Sequence, residues 1–488
     1  MRILVMGATG YIGGRLVPEL ADAGHEIRCL TRRPEKLAGV PWAERVEVVQ
    51  GDALDPASLT EALADVEVVY YLVHSIGSGG HFEDTDREAA NNVAAAAKAA
   101  GTERIVYLGG LVPGAEETAS AHLASRAEVG QIFLDSGVPT VVLQAGVIIG
   151  SGSASFEMLR YLTERLPVMV TPRWVSSRVQ PIAVRDVLTY LVGVLDLPDG
   201  TNRRFDVGGP DVLTYREMMR RYAAVAGLRH RMIIPVRVLS PWLSSQWVNL
   251  VTPVPKAIAQ PLIESLRNSV VVQEDDITAL VPADRLGFDE AVRLALEQIR
   301  TGDVATRWSG ADWPGAPSDP MPTDPDWSGG TVYRDERSAP VDASVDQLWQ
   351  AVEGIGGDRG WYSFPLAWAV RGLLDRLAGG VGLRRGRRDP DRTAVGEPID
   401  FWRVETLERG KVLRLRAEMR LPGGAWLEFA ITPDEGDGPV LHQRALFIPR
   451  GLAGTLYWWS VWPFHGIVFG SMLRNLAKAA EAQPQLTR

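Results

Sequence analysis

The chain has 488 residues, 46% hydrophobic and 23% charged, an ordinary globular composition too long for one core. Its formal net charge of −9 leaves no basic footprint, which excludes a nucleic-acid partner. The single cysteine, Cys29, cannot form an internal disulfide, so a reducing, cytoplasmic setting is expected. The histidines are scattered, with His74 and His81 the closest pair, and no metal site is expected.

The opening stretch MRILVMGATGYIGGRLVPEL sets the organisation. Ile3, Leu4 and Val5 read as a buried strand, and Leu16, Val17 and Leu20 recur at helical spacing up to Gly24. Between them stand Gly7, Gly10 and Gly13, with Thr9, Tyr11 and Ile12 filling the same turn. Gly7 allows a tight turn, Gly10 lets backbone approach a pyrophosphate, and Gly13 lets helix pack on strand. The anion then sits at the helix N-terminus, where free N–H groups and the dipole favour it. The apolar run is short and broken by glycine, so no secretory signal is expected.

Strand-like runs follow at Ile27–Leu30, Val46–Val49, Val66–Val73, Arg104–Leu108 and Thr140–Leu143. Helical stretches separate them, the clearest being the alanine-rich Arg87–Ala100. This alternation predicts an α/β fold, a doubly wound parallel Rossmann sheet covered on both faces. A looser, substrate-side subdomain is expected from about residue 150 to 306, with a helix over Tyr215–Ala226 and a strand over Met232–Val236. Leu239–Leu266 is apolar and proline-broken, and reads as short helices over a pocket or as plain packing.

Residues 307–331 are rich in Pro, Gly and Asp and read as a linker between domains 1–306 and 332–488. Beyond it the pattern becomes α+β. A short helix covers Val345–Val352, and Leu413, Leu415, Ala417 and Met419 alternate with charged neighbours. Gly423-Gly424 reads as a hairpin turn, Leu441–Ile448 as a further strand, and about Pro463–Ala482 as a final helix.

The end of the second strand carries Arg32 and Arg33, where NAD enzymes usually place a carboxylate for the ribose hydroxyls. Two guanidiniums suit a 2′-phosphate, so NADP is favoured, with NAD the alternative. A merely solvated loop is the bland reading of the same pair.

GATGYIGG, Gly51-Asp52 after the third strand and the alternation to about residue 300 resemble the short-chain dehydrogenase/reductase superfamily, most closely its atypical, NmrA-like members. The resemblance implies that Asp52 contacts the adenine. It also implies that Leu72, Val73, His74 and Ser75 line the dinucleotide, and that Gly146 and Val147 lie beside the nicotinamide. Family enzymes carry a serine after the fifth strand and a Tyr-x-x-x-Lys dyad on the next helix. Here the strand ends Tyr107-Leu108-Gly109-Gly110, with His122 at the tyrosine position and Arg126 at the lysine position. The i, i+4 spacing keeps both on one helix face. His122 is then the candidate proton donor near neutral pH, Arg126 the ribose clamp and Ser125 a second donor. Trp174, Arg178 and Gln180 fall where the family builds its substrate mouth, or form a surface loop.

The final domain resembles the START/polyketide-cyclase, helix-grip superfamily in layout, which implies an apolar ligand between sheet and long helix. Trp402, Trp426, Phe429 and Phe447 are its candidate liners, or fill a closed core. Residues 452–473 hold no charged side chain but Tyr457, Trp458, Trp459 and Trp462. A strand end turning into the last helix accounts for them; membrane spanning and peripheral contact with a membrane interface are the alternatives.

The function expected is an NAD(P)-dependent oxidoreductase acting on a small, apolar carbonyl compound or its alcohol. A non-catalytic redox sensor or assembly factor and a carrier of hydrophobic ligands are the alternatives.

Overall fold

The computed structural model describes residues 1–38, 40–74, 82–113, 119–236, 252, 254–265, 268–305, 331–363, 389, 391–432 and 438–482. The chain divides into two compact units, Met1–Gly330 and Thr331–Arg488.

The first unit opens with β1 (Arg2–Met6), α1 (Tyr11–Asp22), β2 (Glu26–Thr31), β3 (Glu47–Gln50), α2 (Pro56–Ala62), β4 (Val68–Tyr71) and α3 (Phe82–Ala100). It continues through β5 (Arg104–Gly110), α4 (Ala121–Asp135), β6 (Thr140–Ala145), β7 (Ile148–Ile149), α5 (Ala154–Arg165) and β8 (Val168–Pro172). Then come β9 (Arg178–Val179), β10 (Ile182–Ala183), α6 (Val184–Gly193), β11 (Arg203–Val207), β12 (Leu213–Thr214), α7 (Tyr215–Val225) and β13 (Met232–Val236). Three helices close it, α8 (Lys256–Ser265), α9 (Ile277–Leu280) and α10 (Phe288–Ala305).

Seven strands form one parallel sheet in the order β11-β6-β5-β4-β1-β2-β3. Its central strands are apolar on both faces because helices cover both. Ile3 and Val5 pack with Leu16 and Leu20 on one side, while Leu4 and Met6 pack with Leu59 and Val93 on the other. The strand order reverses between β1 and β4, and that switch point is where an open α/β sheet leaves a crevice.

The second unit holds β14 (Tyr333–Pro340), α11 (Val345–Glu353), β15 (Pro398–Ile399), β16 (Trp402–Glu408) and β17 (Val412–Ala417). β18 (Gly423–Thr432), β19 (Val440–Pro449) and the long α12 (Gly451–Glu481) complete it. Its six strands are antiparallel, in the order β14-β19-β18-β17-β16-β15. Trp402 and Phe429 sit in one core with Met472 and Leu476 of α12.

Three expectations change. β4 is shorter than Val66–Val73. Gly423 and Gly424 belong to β18 and not to a turn. A Cβ on Gly423 would lie 2.3 Å from the Ile448 carbonyl oxygen, and one on Gly424 would meet the Trp426 ring at 2.6 Å. Cross-strand crowding therefore demands glycine at 423, and the ring two residues along the same strand crowds 424. The last helix starts at Gly451 and carries Pro463 inside it. No described helix is long and apolar enough to cross a membrane. The linker, apart from Thr331, lies outside the described residues, as do 237–251 of the apolar stretch before α8.

Candidate active site

The cavity begins at the turn between β1 and α1. Gly7 has φ +96°, and a Cβ there would lie 2.8 Å from the Leu72 carbonyl oxygen. A side chain at Gly7 would thus both strain the turn and push β1 from β4. Gly13 is tighter still, since its Cβ would fall 2.2 Å from the Gly7 carbonyl oxygen. Gly10 is the N-cap of α1, with no side-chain cap and no acidic residue in the first turn. The first N–H groups of a helix have no intrahelical acceptor, so this end is open to an anion. Arg15 donates to the Tyr11 carbonyl oxygen at 3.0 Å and lies 4.1 Å from the Tyr11 ring, which braces the turn from behind.

Facing this turn is a cavity of about 420 Å³. The structure brings Gly7, Thr9, Gly10, Tyr11, Ile12, Gly13, Leu72, His74, His122, Arg126, Gly146 and Val147 onto its wall. Among the described residues no acidic side chain lines it. Its cations and imidazoles come from α4 and the end of β4.

α4 is started by Ser120, whose hydroxyl accepts from the Leu123 N–H at 3.3 Å. That cap fixes the register that turns His122 and Arg126 together toward the cavity. Arg126 donates from Nη2 to the Leu108 carbonyl oxygen, and its Nε is buried without a hydrogen-bond partner among the described residues. A buried donor left open on the cavity wall suits an anionic or hydroxyl-bearing ligand. His122 is 7% exposed, and burial, then the charges of Arg126 and His74, push its pKa down to about 3. The imidazole is therefore neutral at physiological pH. This corrects the expectation of a proton-loaded histidine; what remains is one ring N–H that can donate a hydrogen bond.

Ser125 of α4 donates toward Asp86 of α3 at 3.5 Å and does not line the cavity. Gln180 is likewise occupied, donating to the Gly209 carbonyl oxygen at 2.7 Å and accepting from the Val272 N–H at 3.1 Å. It clips two loops together. Arg178 is exposed on β9, away from the cavity wall, and Trp174 sits in the turn Arg173–Ser176, its side chain outside the described part. Val73 does not line the cavity, and Ser75 lies outside the described residues. Asp52 follows β3 and accepts from the Leu54 N–H at 3.1 Å, outside the cavity wall. Arg32 and Arg33 are exposed beyond β2 and form no ion pair among the described residues.

Sequence reasoning missed the rest of the wall. Leu108 and Leu111 come from the end of β5, Ser153 is the N-cap of α5 and Ser155 lies in its first turn. Tyr215, Ile258, Leu262 and Val270 arrive from distant segments. Glu157, fully buried, accepts from the Gly152 N–H at 2.9 Å and pairs with Arg160 at 2.5 Å, which sets that loop against the cavity. Within Leu239–Leu266, Ile258 and Leu262 of α8 reach the cavity, and residues 237–251 are outside the description.

Residues 7–138 match a family described as NAD(P)H-binding. A (4-alkanoyl-5-oxo-2,5-dihydrofuran-3-yl)methyl phosphate reductase of Streptomyces griseus is 32% identical over 231 residues, 46% of this chain and 74% of that protein. The first unit belongs to the NAD(P)H-dependent reductases of the atypical short-chain dehydrogenase/reductase type. This reductase is also 30% identical to a ceramide reductase of Caulobacter vibrioides over 236 residues, 47% of this chain and 72% of that protein. A nucleoside-diphosphate-sugar epimerase structure from Staphylococcus aureus superposes with a TM-score of 0.50 at 18% identity, covering 60% of this chain and all of that one. That likeness is one of fold. Residues 327–472 of the reductase match a family described as a protein of unknown function, DUF2867.

The glycine turn and the open α1 terminus fit an NAD(P)H dinucleotide. Gly7 to Gly13 would hold its diphosphate, and Leu72, Gly146 and Val147 would flank it. The bound cofactor supplies hydride.

Proposed function

We propose that the reductase uses NADPH to reduce the carbonyl group of an apolar compound bearing an alkyl or acyl chain. The observation that carries this reading is one cavity in which the neutral His122 and the cationic Arg126 face the glycine turn across an apolar wall of Leu108, Leu111, Val147, Leu262 and Val270. The names of two relatives carry an alkanoyl substituent and a ceramide, which supports a chain-bearing substrate for this site too.

On this reading the Arg126 Nε holds a ribose hydroxyl, and Arg32 and Arg33 close on the 2′-phosphate beyond β2. The His122 ring N–H donates to the substrate carbonyl oxygen and stabilises the negative charge that develops there. A fixed neutral donor in a water-poor site needs no reorganisation when that charge appears. The resulting alkoxide takes its proton from solvent, and His122 keeps its own.

The test is NADPH oxidation by the full chain against 3-oxoacyl esters of graded chain length. The expected outcome is a kcat/KM that rises with chain length and falls about a hundredfold in His122→Ala with NADPH affinity kept. Unaltered turnover in His122→Ala, or no preference for chain length, would overturn the assignment.

A further inference from the structure

The outer face of α12 is apolar. Leu452, Leu456, Trp459 and Ile467 follow one another at steps of four, three and eight residues, which places them on one helical stripe. They are 40%, 61%, 59% and 57% exposed. Trp462 and Phe464 flank the stripe at 42% and 62% exposure. The opposite face, with Trp458, Met472 and Leu476, is buried in the unit's own core. The helix is therefore already anchored on one side, and its apolar surplus faces outward.

Charge selects the occupant. The helix carries one acidic residue, Glu481 at its last position, which accepts from the Asp342 N–H at 3.4 Å. Continuing the stripe by two turns from Ile467 reaches Arg474, and Lys478 follows four residues later; both are exposed. In a chain of net charge −9 this one face is apolar, indole-bearing and locally cationic. Apolar side chains with tryptophans at their margin suit the boundary between acyl chains and headgroups, and lysine and arginine beside them attract anionic headgroups. No described helix can span a bilayer, so the contact is with its surface.

We propose that α12 docks the protein on an anionic phospholipid surface, with Leu456, Trp459, Phe464 and Ile467 entering the interface and Arg474 and Lys478 meeting the headgroups. This proposal is independent of the reading of the reductase cavity.

The test is flotation of the full chain with vesicles of phosphatidylcholine alone and of phosphatidylcholine mixed with phosphatidylglycerol. Trp459→Glu/Ile467→Glu and Arg474→Glu/Lys478→Glu are compared with the parent, with near-ultraviolet circular dichroism reporting that the second unit stays folded. The expected result is flotation with the anionic vesicles, at least about tenfold weaker in each double variant and weak on phosphatidylcholine alone. No flotation, or flotation unchanged by both variants, overturns the proposal. So does a parent dimer in light scattering that Trp459→Glu/Ile467→Glu dissociates without any lipid binding, since the stripe would then be covered by a second copy. Should Trp459→Glu/Ile467→Glu misfold, the charge-reversal variant decides alone.

Discussion

At the scale of the residue, the environment of His122 makes the sharpest claim. A histidine held at a pKa of about 3 carries no proton to lose between pH 6 and 8. The kcat/KM profile of the parent should be flat across that range as far as His122 is concerned. A limb near pH 6.5 that disappears in His122→Gln would contradict the neutral donor. The same shift has a thermodynamic face. Above the unfolded value of about 6.5 both states are neutral and the group costs nothing. Below it the unfolded chain takes up a proton that the folded site refuses. Stability then falls by about 1.4 kcal/mol per pH unit until the folded pKa is reached. Chemical denaturation at pH 7 and pH 5 should show this slope reduced in His122→Gln. Arg32 and Arg33 make a separate claim. Charge-assisted contacts to a phosphate are worth about 1.5–3 kcal/mol, so Arg32→Ala/Arg33→Ala should weaken NADPH binding about tenfold or more and leave NADH unchanged. Equal losses for both nucleotides would remove the 2′-phosphate from the account.

At the scale of the element, the loop into α5 depends on a buried pair. Glu157 and Arg160 are 0% and 1% exposed, and Glu157 also holds the Gly152 N–H. Removing one charge strands the other, so Arg160→Met should destabilise the fold by about 3–5 kcal/mol. Replacing both, Glu157→Leu/Arg160→Met, should recover most of that loss in thermal unfolding. It should still raise the KM for substrate, because Gly152 loses its acceptor and Ser153 and Ser155 line the cavity. A KM unchanged in the double variant would show that the loop is held by other means. What could be read ahead of the structure follows the range of the interactions. The turn of Gly7, Gly10 and Gly13 was legible because strand, turn and helix are adjacent, and the pairing of His122 with Arg126 because one helix sets it. Leu111, Tyr215 and Val270 were not, since only long-range packing brings them to one wall. Ser125 and Gln180 have suitable chemistry but spend it on Asp86, Gly209 and Val272. Gly423-Gly424 mimics a turn while answering crowding by the Ile448 carbonyl across the sheet and by the Trp426 ring on the same strand. Pro463 hid the true start of α12, although a proline inside a helix forfeits only a local hydrogen bond when tertiary packing holds the rest.

At the scale of the whole molecule, the two units differ in grammar, a parallel sheet under helices and an antiparallel sheet with one long helix. Each has its own core, so residues 1–330 expressed alone should bind NADPH within roughly threefold of the full chain. A large loss would place part of the nucleotide site on the second unit. The START-like layout of that unit is a proposal of this kind as well, and Trp402, Phe429 and Phe447 are buried in it at 5%, 0% and 2% exposure. The most direct trial of the account is calorimetric titration of NADPH into the intact chain and into Gly10→Asp. Gly10 has φ −95°, which an L residue adopts, and aspartate is a favoured N-cap, so the variant is expected to fold. Its carboxylate would occupy the place assigned to the diphosphate. The account predicts one saturable NADPH site in the parent and none in folded Gly10→Asp; equal affinity in the two would contradict it.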